Sequence, residues 1–251
     1  MIERRDAGPL GAVRRLRLPA AAAGGAPVTY GLMAVCCLVF LTGPVSGFGP
    51  SYGTADAALA AQAGYFERWG VIPAELWDGS AHAWLTPFTA LFVHGGWLHL
   101  LGNMLFLHVF GAMAEERMGH FGFALFYTGC GYLTLVVYAA AYSGSEQTLV
   151  GASGAISAVL GAFLRLFPRA RVTSIFPFLL FLPLRFPAWI VLLFWFALQW
   201  LAARGAGSGP GVAYLAHVAG FAAGFVLARG VHRRGARVKT PATATEGESQ
   251  P

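Results

Sequence analysis

The sequence predicts an all-α membrane protein, a bundle of six transmembrane helices. Three observations lead there. Hydrophobic residues make up 57% of the 251 and charged residues only 11%, less than half of the roughly 25% usual in soluble domains. Six apolar runs are long enough, or nearly so, for the ~20 residues that a bilayer crossing needs. The basic residues also fall almost entirely into alternate connections between those runs.

The first run, about 28–48, follows a basic lead over 1–27. No small-residue cleavage pattern follows it and further spans do, so it is read as a retained span rather than a cleaved signal. The later runs are about 88–114, 121–142, 151–167, 186–203 and 212–229. The fourth is short if it stops at Arg165. A further apolar stretch, TSIFPFLLFLPLRFP (173–187), holds Pro177, Pro183 and Arg185. Interior prolines break a crossing helix, so this stretch is read as an interfacial turn into the fifth span. The expected organisation is a basic cytoplasmic tail over 1–27, a membrane core over 28–230, and a polar C-terminal tail over 231–251 that is disordered by composition.

Charge placement sets the orientation. With both termini in the cytoplasm, fifteen of the seventeen basic residues lie on inner segments and only Arg68 and Arg204 on outer ones, a strong positive-inside bias. Sixteen of the seventeen bases are arginine, Lys239 being the exception. With abundant Ala and Gly, that bias points to a GC-rich genome. The expected location is a cell membrane crossed several times, taken as a bacterial plasma membrane. The long connection over 49–87, with Trp69, Trp77 and Trp84, is expected to lie partly in the outer interface. Cys36, Cys37 and Cys130 all sit inside apolar runs and read as buried thiols rather than a disulfide or metal site.

In this topology the second, fourth and sixth spans all enter from outside, so polar residues near their starts share one leaflet. The second opens HGGWLHLLGN (94–103). His99 and Asn103 are four apart and share a helix face, while His94 stands at the mouth. The fourth opens GASGAISAVLG (151–161), placing Ser153 between Gly151 and Gly154. The sixth contains AYLAHVAGFAAG (213–224), with His217 about one and a half turns in. Each alone has a bland reading, since polar and small residues are common helix-packing devices in membranes. Yet Gly154, Ala158 and Gly161 form one small-residue stripe, and Ala216, Gly220 and Gly224 form another. If the stripes pack together, His217 reaches Ser153 at ~2.6–3.2 Å, the distance at which a base activates a hydroxyl.

Missing residues exclude other classes. Outside the second span's Glu115-Glu116-Arg117 end, the span cores contain no Asp or Glu. An aspartyl intramembrane protease needs two, and proton-coupled transport usually needs membrane acids. The H-E-x-x-H zinc pattern is absent, because Gly95 follows His94. A small-solute permease with glycine hinges is disfavoured further by the lack of a visible internal repeat. No cofactor, metal or nucleic-acid partner is expected.

Taken in order, His94, His99 and Asn103, then Gly151, Ser153 and Gly154, then Ala216, His217, Gly220 and Gly224 resemble the motifs of the rhomboid family of intramembrane serine proteases. EERMG (115–119) is similar too, and the resemblance covers about 28–230. It implies a serine endopeptidase that cleaves single-span or multi-span membrane proteins in or beside a transmembrane helix. Carried over by position, Ser153 is the nucleophile and His217 the base. Asn103, His99 and the Ser153 backbone N–H are oxyanion donors, and His94, Gly151, Gly154, Gly220 and Gly224 are supporting residues. The alternative is a catalytically silent rhomboid-like protein that binds membrane helices. Two departures stand out. The Trp-Arg pair that many members carry in the first outer loop is here Arg68-Trp69, in reversed order. The position one turn after the nucleophile, aromatic in some members, is Ser157. Orientation of His217 is therefore expected from packing, with Tyr214 or Phe221.

Overall fold

The computed structural model describes residues 25–48, 52–176, 182–205 and 213–234. Most of the basic 1–27 lead and of the 231–251 tail lies outside them. The described chain is mostly helical. In order, the helices are α1 (Pro27–Thr42), α2 (Ala55–Trp69), α3 (Pro73–Leu76), α4 (Ala81–Thr89), α5 (Trp97–Phe106), α6 (Ala112–Met118), α7 (His120–Ala141), α8 (Ser153–Leu166), α9 (Ala188–Gly205) and α10 (Tyr214–Arg234). A π-helical stretch, Leu107–Gly111, joins α5 to α6 without ending the rod. Among these, Trp97–Met118, His120–Ala141 and Tyr214–Val231 are long and apolar enough to cross a membrane. Pro27–Thr42, Ser153–Leu166 and Ala188–Arg204 are shorter apolar helices. Each of the six falls on one of the six apolar runs.

Two expectations change. The second run does not start as a helix at 88. α4 ends at Thr89, and the chain turns through 90–96 before α5 starts at Trp97. The break has a local cause: Gly96 caps α5 with an extended backbone, φ 165° and ψ 169°. The 173–187 stretch is more than a turn. Arg171–Phe176 and Leu182–Pro187 form an antiparallel pair, β1 and β2, in register Arg171↔Pro187 to Phe176↔Leu182, so the fold is not purely helical. Pro183 and Pro187 are tolerable because a two-stranded ribbon leaves every residue on an edge strand. The described part of the 49–87 connection is largely helical, and it docks on the segment before α8. Val71 and Leu149 exchange backbone hydrogen bonds of 2.9 and 2.8 Å, and the Ala74 N–H donates to the Ser145 carbonyl at 3.0 Å. A Cβ on Gly70 would strike the Thr148 and Val150 side chains, so only glycine allows this closeness. The segment leading to Ser153 is thereby tied down from one side. Trp69, Trp77 and Trp84 remain about 36–45% exposed. Cys36 and Cys130 are buried free thiols and Cys37 is half-buried.

The core gathers around α8. Twelve of its fourteen residues are buried. α7 and α10 flank it. The α8–α10 seam is built from the two small-residue stripes. A Cβ on Gly220 would strike the Gly154 carbonyl oxygen, one on Gly224 the Ala158 carbonyl, and one on Gly161 the Phe221 carbonyl. The pairs advance together along both chains, so α8 and α10 run parallel. At the same crossing Gly154 also meets α7, where a Cβ would lie 2.5 Å from Thr134 Oγ1.

Glu115 closes the other end of the rod. Sequence placed it in a charged cap, yet it is fully buried. Its carboxylate accepts from the Val28 and Thr29 backbone N–H groups at 3.0 and 2.7 Å and from Thr29 Oγ1 at 2.7 Å. His120 Nδ1 lies 2.6 Å from the same group. The start of α1 is thus held against the α6–α7 corner.

Candidate active site

His99, Ser153 and His217 stand in the first turn or so of α5, α8 and α10, and the starts of these three helices converge. Ser153 is the first residue of α8 and His217 the fourth of α10. Because the glycine seam lets the two backbones touch, the side chains meet. His217 Nε2 lies 2.8 Å from Ser153 Oγ, across 64 residues of sequence. The ring is 8% exposed. The first N–H groups of a helix have no partner within it, and Ala152 caps α8 with no side-chain bond. The Ser153 N–H therefore starts α8 at the positive end of the helix dipole.

α5 brings the second half of the site. His99 accepts at Nδ1 from the Gly95 N–H, 3.3 Å away. A neutral imidazole that accepts at one nitrogen carries its proton on the other, so Nε2–H is the donor. That nitrogen points at the approach to Ser153: a Cβ on Gly151 would lie 2.7 Å from His99 Nε2 and 3.9 Å from Ser153 Oγ. Gly151 has φ +123°, a backbone that side-chain-bearing residues rarely adopt. Both its conformation and its crowding require glycine. The Gly151 N–H donates to the Ala90 carbonyl at 2.8 Å, which locks the turn. Asn103, 8% exposed, donates one side-chain N–H to the His99 carbonyl at 3.0 Å, and its amide has a second N–H to offer. His94 is 1% exposed. It rests edge-on against His99 with ring centroids 5.2 Å apart, and its Nδ1 meets the Phe92 carbonyl at 3.2 Å. It backs His99 rather than facing the serine.

The means of holding His217 differ from expectation. Tyr214 does lie edge-on to the ring, at 6.4 Å. Phe221 instead packs on Trp195 and Phe196 of α9, and Trp195 is the aromatic beside His217, at 6.1 Å and 32°. Ser157 turns back to donate to the Ser153 carbonyl at 2.6 Å. Packing is also not the whole account: Gln199 of α9 places Oε1 2.7 Å from His217 Nδ1. The sequence held a signal for this residue. Gln199 is a lone polar side chain inside an apolar run, and such groups are costly unless partnered.

The sequence profile of the rhomboid domain matches residues 81–234, which is more than half of the chain and takes in every residue of the site. The chain belongs to the rhomboid family. Membership makes it a helical membrane protein. It is similar over 76 residues to two curated proteins of Arabidopsis thaliana. One is rhomboid-like protein 11, chloroplastic, at 42% identity, covering 30% of this chain and 26% of that protein. The other is RHOMBOID-like protein 5, at 36% identity, covering 30% and 25%. The match thus spans about a quarter of the length of these relatives. Both come from a plant and one is named chloroplastic, so they lend no support to a bacterial plasma membrane.

Proposed function

We propose that this rhomboid is an intramembrane serine endopeptidase that hydrolyses peptide bonds in or beside the transmembrane helices of other membrane proteins. The observation that supports this best is the 2.8 Å contact between Ser153 Oγ and His217 Nε2. In the proposed reaction His217 Nε2 takes the Oγ proton while Oγ bonds to the scissile carbonyl carbon. A serine hydroxyl is a weak nucleophile without such a base. The resulting oxyanion receives hydrogen bonds from the Ser153 N–H, His99 Nε2–H and the Asn103 amide. Collapse breaks the C–N bond, and the leaving amine takes the proton back from Nε2. Water then gives a proton to Nε2 as its oxygen adds to the acyl carbon. The second collapse frees the acid and returns the proton to Oγ. His94 supports His99, and Gly151, Gly154, Gly220 and Gly224 support the approach of the backbones.

The same reading sets six spans with both termini on the cytoplasmic side, which puts the starts of α5, α8 and α10 near the outer surface, where water is available. Its test is cleavage of a single-span substrate in detergent. Wild type should cut it, and Ser153→Ala should reduce cleavage to background with the fold intact. A fluorophosphonate probe should label wild type and fail on His217→Ala. Cleavage by Ser153→Ala at the wild-type rate would remove the assignment. The second reading, a silent protein that binds membrane helices, draws on the rhomboid-like names of the two plant relatives. It predicts no labelling of wild type.

A further inference from the structure

We propose that Gln199 is the positioning residue of the dyad: its amide oxygen holds the proton of His217 on Nδ1 and so leaves Nε2 free to act as base. This rests on the protease reading above.

The count of protons on a neutral imidazole decides the matter. There is one, and it sits on whichever nitrogen can donate it. His217 Nε2 faces the Ser153 hydroxyl at 2.8 Å and Nδ1 faces Gln199 Oε1 at 2.7 Å. An amide oxygen only accepts, so this pairing requires Nδ1–H. Nε2 then has its lone pair toward the serine, which is what proton abstraction needs. Serine enzymes with a triad assign this task to a carboxylate, and a wrong tautomer there disables the base. Here a neutral amide does it. A neutral partner suits a ring that is 8% exposed, since a buried carboxylate costs far more desolvation than an amide.

The amide comes from a helix outside the seam. Ser153 and His217 are placed by the α8–α10 seam, whereas Gln199 stands on α9, which lies against α10 through Trp195, Phe196 and Phe221. Trp195 is one turn before Gln199 and beside the same ring. Ring and amide together therefore fix both the tilt and the tautomer of His217 from one face of one helix. The titratable groups beside the ring include His99 of α5 and Tyr214 of α10. Neither is positioned as Nδ1's acceptor, the place Gln199 fills.

The test uses the full-length protein with three variants at position 199 and Ser153→Ala as the blank. Gln199→Leu keeps the bulk and removes the acceptor. It should lower kcat by about tenfold, the scale of one lost neutral hydrogen bond, with KM unchanged. Gln199→Glu restores an acceptor at Nδ1 and adds charge, which favours imidazolium. Its activity should recover to near wild type at alkaline pH, and its acid limb should move upward by about one unit or more. Gln199→Ala should resemble the Leu variant. Nitrogen-15 spectra of labelled histidine, with His217→Ala to assign the signal, read the tautomer directly. Wild type should show Nδ1–H, and the Leu variant should shift toward Nε2–H. A wild-type kcat and pH profile in Gln199→Leu, or an Nε2–H tautomer in wild type, would overturn the proposal. The second result would mean that the amide presents its NH2 to Nδ1. Because the spectra need no turnover, they test Gln199 even if wild type neither cleaves nor labels, a result that would sink the protease reading instead.

Discussion

α8 and α9 lie against the same helix, α10, by opposite means. α8 meets it backbone to backbone, with glycine at each crossing and almost no side chain between. α9 meets it through rings and one amide, while Trp189, Phe194, Leu198, Trp200 and Leu201 face outward. α8 is buried nearly all round, which is why fourteen residues suffice for it. The difference teaches that the two demands on the site are met separately. The distance between nucleophile and base is set by a contact with no freedom to adjust. The chemical state of the base is set by a contact that side chains can change.

The sharpest way to break this comparison is to add bulk to the seam. Gly224→Leu should abolish cleavage and lower the melting temperature by many degrees, because its side chain has only the Ala158 backbone to enter. Gly230→Ala, with open space around it, should change neither. Thermal unfolding and substrate cleavage together would show it, and an active Gly224→Leu protein would mean that the seam does not fix the dyad. The next effect concerns a residue on neither interface. Asn103→Ala should reduce kcat by roughly 10²-fold with stability little changed, the usual scale for one oxyanion donor. An unchanged rate would return Asn103 to its bond with the His99 carbonyl. The smallest effect belongs to the α9 face. Phe196→Ala should cost a few degrees of melting temperature and less than tenfold in kcat, since lipid can replace an apolar contact in a bilayer at little cost. A collapse as severe as that of Gly224→Leu would show that α9 is as much a part of the frame as α8.

Much of the frame was legible before any coordinates. The i, i+4 spacing of small residues at Gly154, Ala158, Gly220 and Gly224 marks two helix faces that can touch, and contact of those faces is enough to bring Ser153 and His217 together. The apolar runs locate all six long or apolar helices. What stayed hidden depends on rotation and docking. Gln199 is visible as an odd polar residue, but only the turn of α9 about its axis tells that it meets Nδ1. The β1–β2 ribbon is masked by its own composition, because a short apolar stretch with prolines has no clear period. The apolar run begins nine residues before α5 does, since Thr89 to Val93 is apolar enough to extend a span although the helix restarts only after the Gly95-Gly96 pair. Sequence marks Glu115 only as part of a charged span end, because its partners, Val28 and Thr29, are backbone groups and a hydroxyl nearly ninety positions earlier.

That last pairing bears on how the molecule is made. α1 has no side-chain cap of its own, so its leading end stays unfinished until a carboxylate from the α6–α7 corner arrives. Order of synthesis and order of completion are therefore reversed at this corner, and a chain interrupted before Glu115 would leave α1 unsealed.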